Sequence, residues 1–411
     1  MDGIPYTKRV QQKRSRVVWF IVIGIAFFAI VDPFRLFVDN QVPRMRVNSQ
    51  IRAEMAEFLA ASPSAADFVV QALDRHDVVL IGESGFVREH LVFLTELIPV
   101  LDRAGIHHLG FQYANRSDQE RIDALLTAPT FDEALAHDIM FSHQVVQGYQ
   151  EIANVFRAAW EVNRAKRTDE PRFRIIGVGF APDYTHIQEQ GDETDPDVLR
   201  RVFADGIPDA MMAAAIQDAF LDQGIRAPVY LRMEHAFTGF VQPLYAERME
   251  EQGFPGQLRT GNRLRERHGQ RVISAILHSP LRDTRSRIGF GFPIGGTLDD
   301  LVRDLPAADR SRGFFVAETP YSEAPISSDV LREGTDGELL FNVFADAYLI
   351  VADVRSVQSL TAIPEFINED NVDEAIRRFP GPDPGPVSMN DLNEFIAGNA
   401  AQIQRVFDEF K

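Results

Sequence analysis

The chain has 411 residues, a formal charge of −18, 45% hydrophobic and 25% charged residues, and no cysteine. That composition suits a packed core and excludes a disordered chain, disulfides, thiolate metal sites, a cysteine nucleophile and a lipid-modified N-terminal cysteine. The charge is uneven, with a net +4 on residues 1–16 and −22 on the rest, and so acidic a body makes nucleic acid an unfavourable partner.

In chain order, Lys8, Arg9, Lys13, Arg14 and Arg16 precede fifteen uncharged residues, Val17 to Val31, and apolar character continues to Val38. Fifteen helical residues reach about 22 Å, and extension to Val38 supplies the rest of a ~30 Å hydrocarbon core. A basic tail over 1–16 and a transmembrane anchor over 17–38 are therefore expected. A cleaved signal peptide is the competing reading, but no clear small-x-small cleavage site follows. The basic flank predicts a single-pass protein of a bacterial-type inner membrane, with its N-terminus cytoplasmic and its bulk periplasmic.

Residues 42–77 read as an amphipathic lead-in, with a break and a new helix start at Ser62-Pro63-Ser64. Strands are then expected at 78–83, 108–113, 173–180, 228–233, 271–277, 313–318 and 346–353. Helices are expected near 86–104, 118–127, 131–138, 147–166, within 196–223, and near 257–268. Alternation of this kind predicts an α/β fold over 42–378, a largely parallel sheet flanked by helices. Asp183 to Asp195 is polar and reads as a surface loop. Phe379 to Pro386 (FPGPDPGP) is a connector to a last helix, Met389 to Phe410, expected to pack as a peripheral lid or to contact a protein partner.

The carboxyl ends of parallel strands border the crevice where α/β folds bind ligands. Glu83, Gln112, Tyr113, Glu234, His235 and His278 stand at such ends, and His90 follows in the helix after Glu83. A carboxylate and imidazoles on one rim suit acid–base work or a divalent metal, with Glu83, His90 and His235 as the metal set. For each there is a plainer reading: a strand-end hydrogen bond or N-cap for Glu83, a helix-surface residue for His90, a capping or packing residue for His235, a turn residue for His278. His107, His108, His137 and His143 read as surface or helix-end residues. Familiar motifs fail. Gly82-Glu83-Ser84-Gly85-Phe86 lacks the last glycine of a nucleophile elbow, and Gly177-Val178-Gly179-Phe180-Ala181-Pro182 places proline where a dinucleotide loop needs glycine.

The order VVLIGE, LGFQYA, DQERIDALL, IIGVGFAP, RMEHAFTG and GNRLRERHGQRVISAIL, over residues 76–278, resembles the superfamily of erythromycin esterases, ChaN-type haem-binding lipoproteins and Tiki/TraB metal-dependent proteases. Gly82-Glu83 resembles the first-strand Gly-Glu, His90 the histidine of the following helix, and His235 the late histidine. The chain departs from the pattern at Gly85 and Phe86, where the family often has histidine, and at Gln112, which replaces a carboxylate. The resemblance implies a hydrolase-type domain with Glu83 as general base or metal ligand, His90 and His235 positioning or ligating, and Arg88 or Arg232 stabilising an oxyanion. Gln112, Tyr113 and His278 would contact a small-molecule ligand. Its ChaN branch implies a haem- or iron-binding alternative, and the departures imply a third, a catalytically inactive scaffold.

Overall fold

A computed structural model describes residues 48–410, apart from 190, 255, 285, 287–288, 327, 333–337 and 380–384. The expected tail and anchor, 1–38, lie outside the described residues. Among the described residues no helix is long and apolar enough to cross a membrane.

Strands β1 (Val78–Glu83), β2 (His108–Asn115), β3 (Arg174–Gly179), β4 (Ala227–Arg232), β5 (Val272–Leu277), β8 (Arg312–Phe315) and β9 (Ala347–Ile350) form one sheet in the order β3-β2-β4-β1-β5-β9-β8. The expected α/β fold is what the chain adopts. Every pairing is parallel except that of β8 with β9. That antiparallel edge and a short ribbon of β6 (Leu281–Arg282) with β7 (Phe290–Gly291) were not expected from the sequence.

Each central strand is apolar on both faces because helices cover both sides. Along β1, Val79 and Ile81 join one buried cluster with helices Ala65–Arg75, Arg88–Arg103 and Gln150–Ala165, while Val78 and Leu80 join a second with Ser49–Ala61, Pro208–Ile216 and Thr297–Asp304. This two-residue alternation sends Glu83 to the same side as Ile81. Local signals set several boundaries. Ser64 accepts from the Asp67 amide at 3.1 Å and donates to its carboxylate at 2.7 Å, starting the second helix where the sequence suggested. Gly105, at φ 77°, lets the chain leave the helix before β2.

The last helix, Met389–Asp408, is not peripheral. Leu392, Ile396, Ile403 and Phe407 belong to the first buried cluster, and Phe410 meets Phe290 and Phe292 edge to face, with ring centroids 5.3 and 5.5 Å away.

β2 is irregular where it matters. Its register against β3 shifts between Phe111 and Asn115, so Gln112 and Tyr113 lie on a bulge that turns their side chains toward the carboxyl end of the sheet. Gly177 and Gly179 admit the displaced backbone, since a Cβ on either would collide with the Asn115 or Gln112 carbonyl. The glycines of that near-miss dinucleotide loop therefore have a packing role.

Candidate active site

A cavity of about 410 Å³ opens at the carboxyl ends of β1 to β5, lined by Ser84 and Gly85, Gln112 and Tyr113, Phe180, Arg232 to His235, and Pro280 to Arg282. β1 lies between β4 and β5, and the chain passes from one side of it to the other between those strands, so the cavity occupies the crevice expected of such a fold.

Beneath one wall sits a chain of three groups. Arg232 hydrogen-bonds the Tyr113 hydroxyl, which in turn donates to Glu83 Oε1. Glu83 is 2% exposed. Burial raises its pKa from 4.5 to about 7, against the opposing pull of the Arg232 charge and the Tyr113 bond. Burial and the Glu83 charge lift the Tyr113 phenol well above its usual range. Gln112 fixes the strand end by accepting from the Arg232 amide at 2.7 Å, and Glu234 lies 3.7 Å from the Arg232 guanidinium. Gly85 gives the Arg232 guanidinium its room, since a Cβ there would press on Nη1 and displace it. Next to it Phe86 adopts a left-handed φ of 69°, which costs about 1–2 kcal/mol and is held by burial and an edge contact to Tyr149.

The raised Glu83 pKa has a stability consequence. A folded-state pKa above the unfolded value gives a contribution present below pH 4.5 and lost as pH rises through about 7. Between pH 4 and 8 the unfolding free energy of Glu83→Gln should therefore gain on wild type by about 3 kcal/mol, read from urea melts at both pH values. A gap that does not change with pH would remove the buried-carboxyl reading.

A second group stands at the same cavity. His235 Nδ1 lies 2.7 Å from Asp209 Oδ1. Asp209 also accepts from the Thr260 amide (2.7 Å) and hydroxyl (2.9 Å), the Tyr245 hydroxyl (2.9 Å) and Arg259 Nη1 (3.2 Å). Burial pushes its pKa up, but the His235 and Arg259 charges and these bonds outweigh it and hold Asp209 far below the usual carboxylate range. The bond to Asp209 engages Nδ1 and orients the ring, so Nε2 is the nitrogen left for other partners. His143, read from sequence as a surface or helix-end residue, ends its helix in the cavity lining, with Nδ1 2.9 Å from Asn115 Oδ1 and a pKa lowered by burial to about 4.

The remaining sequence candidates lie elsewhere. His90, fully buried, turns Nε2 to the His278 carbonyl at 3.1 Å, and burial lowers its pKa to about 4. His278 places its two ring nitrogens 2.9 Å from the Tyr348 hydroxyl and 2.8 Å from Asp299 Oδ1, so it ties β5 to β9 and to the helix Thr297–Asp304. Arg88 spans to Gln358 (2.7 Å) and Glu151 (3.4 Å). None of the three lines the cavity. Among the described residues no group of three or more His, Asp or Glu side chains is arranged to hold a metal ion, so Glu83, His90 and His235 are not assembled as a ligand set.

No family model and no curated protein matches the chain. Among solved structures it is similar to a succinoglycan biosynthesis protein, at 8% identity and a TM-score of 0.50 over 77% of this chain and 99% of that one. It is also similar to a Bacillus cereus protein, at 10% identity and a TM-score of 0.43 over 73% and 97%. A third is ChaN of Campylobacter jejuni, described as binding haem cofacially, at 11% identity and a TM-score of 0.31 over 51% and 84%. The likeness to the first of these shows a shared α/β fold.

Proposed function

We propose that the domain is a hydrolase acting on an ester-type bond, with His235, oriented by Asp209, as the base that activates water. The observation that carries this reading is the 2.7 Å bond from His235 Nδ1 to a buried carboxylate in the wall of the cavity. Water gives a proton to His235 Nε2 and its oxygen to the acyl carbon. Arg232, at the same wall, holds the oxygen that becomes negative. As the carbon–oxygen bond breaks, the leaving oxygen takes the Tyr113 proton and Tyr113 recovers one from protonated Glu83. His235 then returns its proton to solvent and Glu83 regains one. Glu83 thus acts through Tyr113 rather than directly on water, as first expected.

A carboxyl with a pKa of about 7 supplies that proton only while protonated, so kcat/KM on a panel of alkyl esters, whose alkoxide leaving groups need a proton, should fall as pH rises above 7. Glu83→Gln should lower the rate by about 100-fold and abolish that limb. A limb unchanged in the variant would show that another group titrates.

The resemblance to the erythromycin esterase and ChaN superfamily agrees with this reading in fold and in Gly82-Glu83 and His235. The metal set does not fit, as its members point to separate partners. Haem or iron held by Tyr113 has less support: a tyrosinate ligand needs a phenolate, and burial and the Glu83 charge raise the pKa of this phenol.

The basic residues before Val17 and the apolar run to Val38 support anchoring in a bacterial-type inner membrane, with the domain on the periplasmic side. Protease added outside intact spheroplasts should digest the domain, and its protection there would reverse the topology.

A further inference from the structure

The charged groups of the cavity lining are already engaged within the protein. Arg232 meets Tyr113 and Glu234, Arg259 meets Asp209 and Gln242, and Arg248 and Arg282 have partners as well. What the lining leaves open is uncharged. His143, Gln144 and Gln147 are half-buried there. Among the described residues no hydrogen-bond partner meets His143 Nε2 or either glutamine side chain, and the Ser84 and Tyr184 hydroxyls of the lining are equally unengaged.

The turn that carries these groups is fixed from its far side. His143 ends the helix Glu133–His143, and its Nδ1 lies 2.9 Å from Asn115 Oδ1. The Gln147 amide donates to the Gln144 carbonyl at 3.1 Å, while Val145 and Val146 between them are buried in the first core cluster. Arg378 donates to the Ser142 carbonyl at 2.6 Å, and the Gly148 carbonyl accepts from the Ile363 amide at 2.8 Å. Backbone and core hold the turn, so the three polar side chains keep their hydrogen-bonding capacity for a ligand. Burial keeps the imidazole neutral, with a pKa of about 4. Neutral donors and acceptors side by side suit a cluster of hydroxyls, each of which donates and accepts.

Aromatic rings stand beside them. Gly179 lies against His143, where a Cβ would come within 2.9 Å of Cε1, and Phe180 and Tyr184, shortly after it in the chain, line the cavity. The negative faces of such rings receive the C–H face of a sugar. Tyr113 joins this end to the reacting groups. Its ring meets His143 edge to face with centroids 6.2 Å apart, and its hydroxyl meets Glu83 and Arg232.

We propose that the end of the cavity formed by His143, Gln144, Gln147, Phe180 and Tyr184 binds an uncharged sugar ring, and that this sugar is the alcohol half of the ester. The assignment to the alcohol half rests on the hydrolase reading, in which Tyr113 protonates the leaving oxygen; the sugar site itself does not.

The test is calorimetric titration of the full chain, held in phosphatidylcholine nanodiscs, with the phenyl glycosides of glucose, galactose and mannose, and with benzyl alcohol, which has the aromatic ring but a single hydroxyl. At least one glycoside should bind about 10-fold tighter than benzyl alcohol. Gln144→Ala and Gln147→Ala should each weaken that glycoside about 5-fold and leave benzyl alcohol unchanged, which also shows that the variants are folded. Glycosides that bind no tighter than the alcohol, or equally well in both variants, overturn the proposal. An acetate ester of the bound glycoside should be cleaved with a kcat/KM about 10-fold above that of ethyl acetate, and Gln147→Ala should remove that margin through KM. The hydrolase reading fails separately: glycoside binding by a wild type that cleaves no ester keeps the sugar site and removes the reaction. Ester cleavage without glycoside preference does the reverse.

Discussion

His235→Ala is expected to lower kcat/KM for ester hydrolysis about 1,000-fold while the protein stays folded. The asymmetry follows from the network around Asp209. Loss of the imidazole leaves that carboxylate with Thr260, Tyr245 and Arg259, so no buried charge is stranded and the stability loss should stay near 1 kcal/mol. Steady-state rates measured beside circular dichroism melts separate the two effects. Activity within about threefold of wild type would remove His235 from the reaction.

Asp209→Ala should do the opposite to stability. Asp209 is 2% exposed and is the common acceptor for His235, Tyr245, Arg259 and both polar groups of Thr260. Its removal leaves the Arg259 charge and several donors without their partner in a site that water reaches poorly. Breaking a buried ion pair in this way costs about 3–5 kcal/mol, a large part of the stability of most domains. Because Asp209 ionises far below the usual carboxylate range, its contribution is present above the unfolded pKa near 3.8 and is lost only as pH falls below that value. The urea midpoint of the variant should therefore drop at pH 7 and at pH 5 alike. A loss confined to activity, with an unchanged midpoint, would mean that the network does not hold the fold.

The rim of the site was legible because apolar runs ending on polar residues mark the carboxyl ends of buried parallel strands. Glu83, Gln112, Tyr113, Glu234 and His235 were found by that rule, and all but Glu83 line the cavity, with Glu83 directly behind Tyr113. The rule does not say which way a side chain turns after the strand. His278 follows β5 but rotates onto Tyr348 and Asp299, and His90 falls in the first turn of a helix that starts at Arg88, which buries it against the His278 carbonyl.

Asp209, Tyr245 and Arg259 were missed for a different reason. Asp209 follows Pro208 at a helix start, where an aspartate ordinarily reads as a favourable helix-end charge. Tyr245 belongs to the helix Pro243–Glu251, and Arg259 precedes the helix Thr260–His268. They converge only because the chain makes two excursions, between β3 and β4 and between β4 and β5, and no spacing in the sequence encodes where those return. The antiparallel β8 was equally hidden, since a strand of four residues fits either direction.

The most direct test of the hydrolytic site is a crystal structure of the chain with an alkyl phosphonate that mimics the tetrahedral intermediate. One phosphonate oxygen should lie within about 3 Å of the Arg232 guanidinium and another at the same distance from His235 Nε2. A phosphonate absent from the cavity, or seated there without touching either residue, would contradict the assignment.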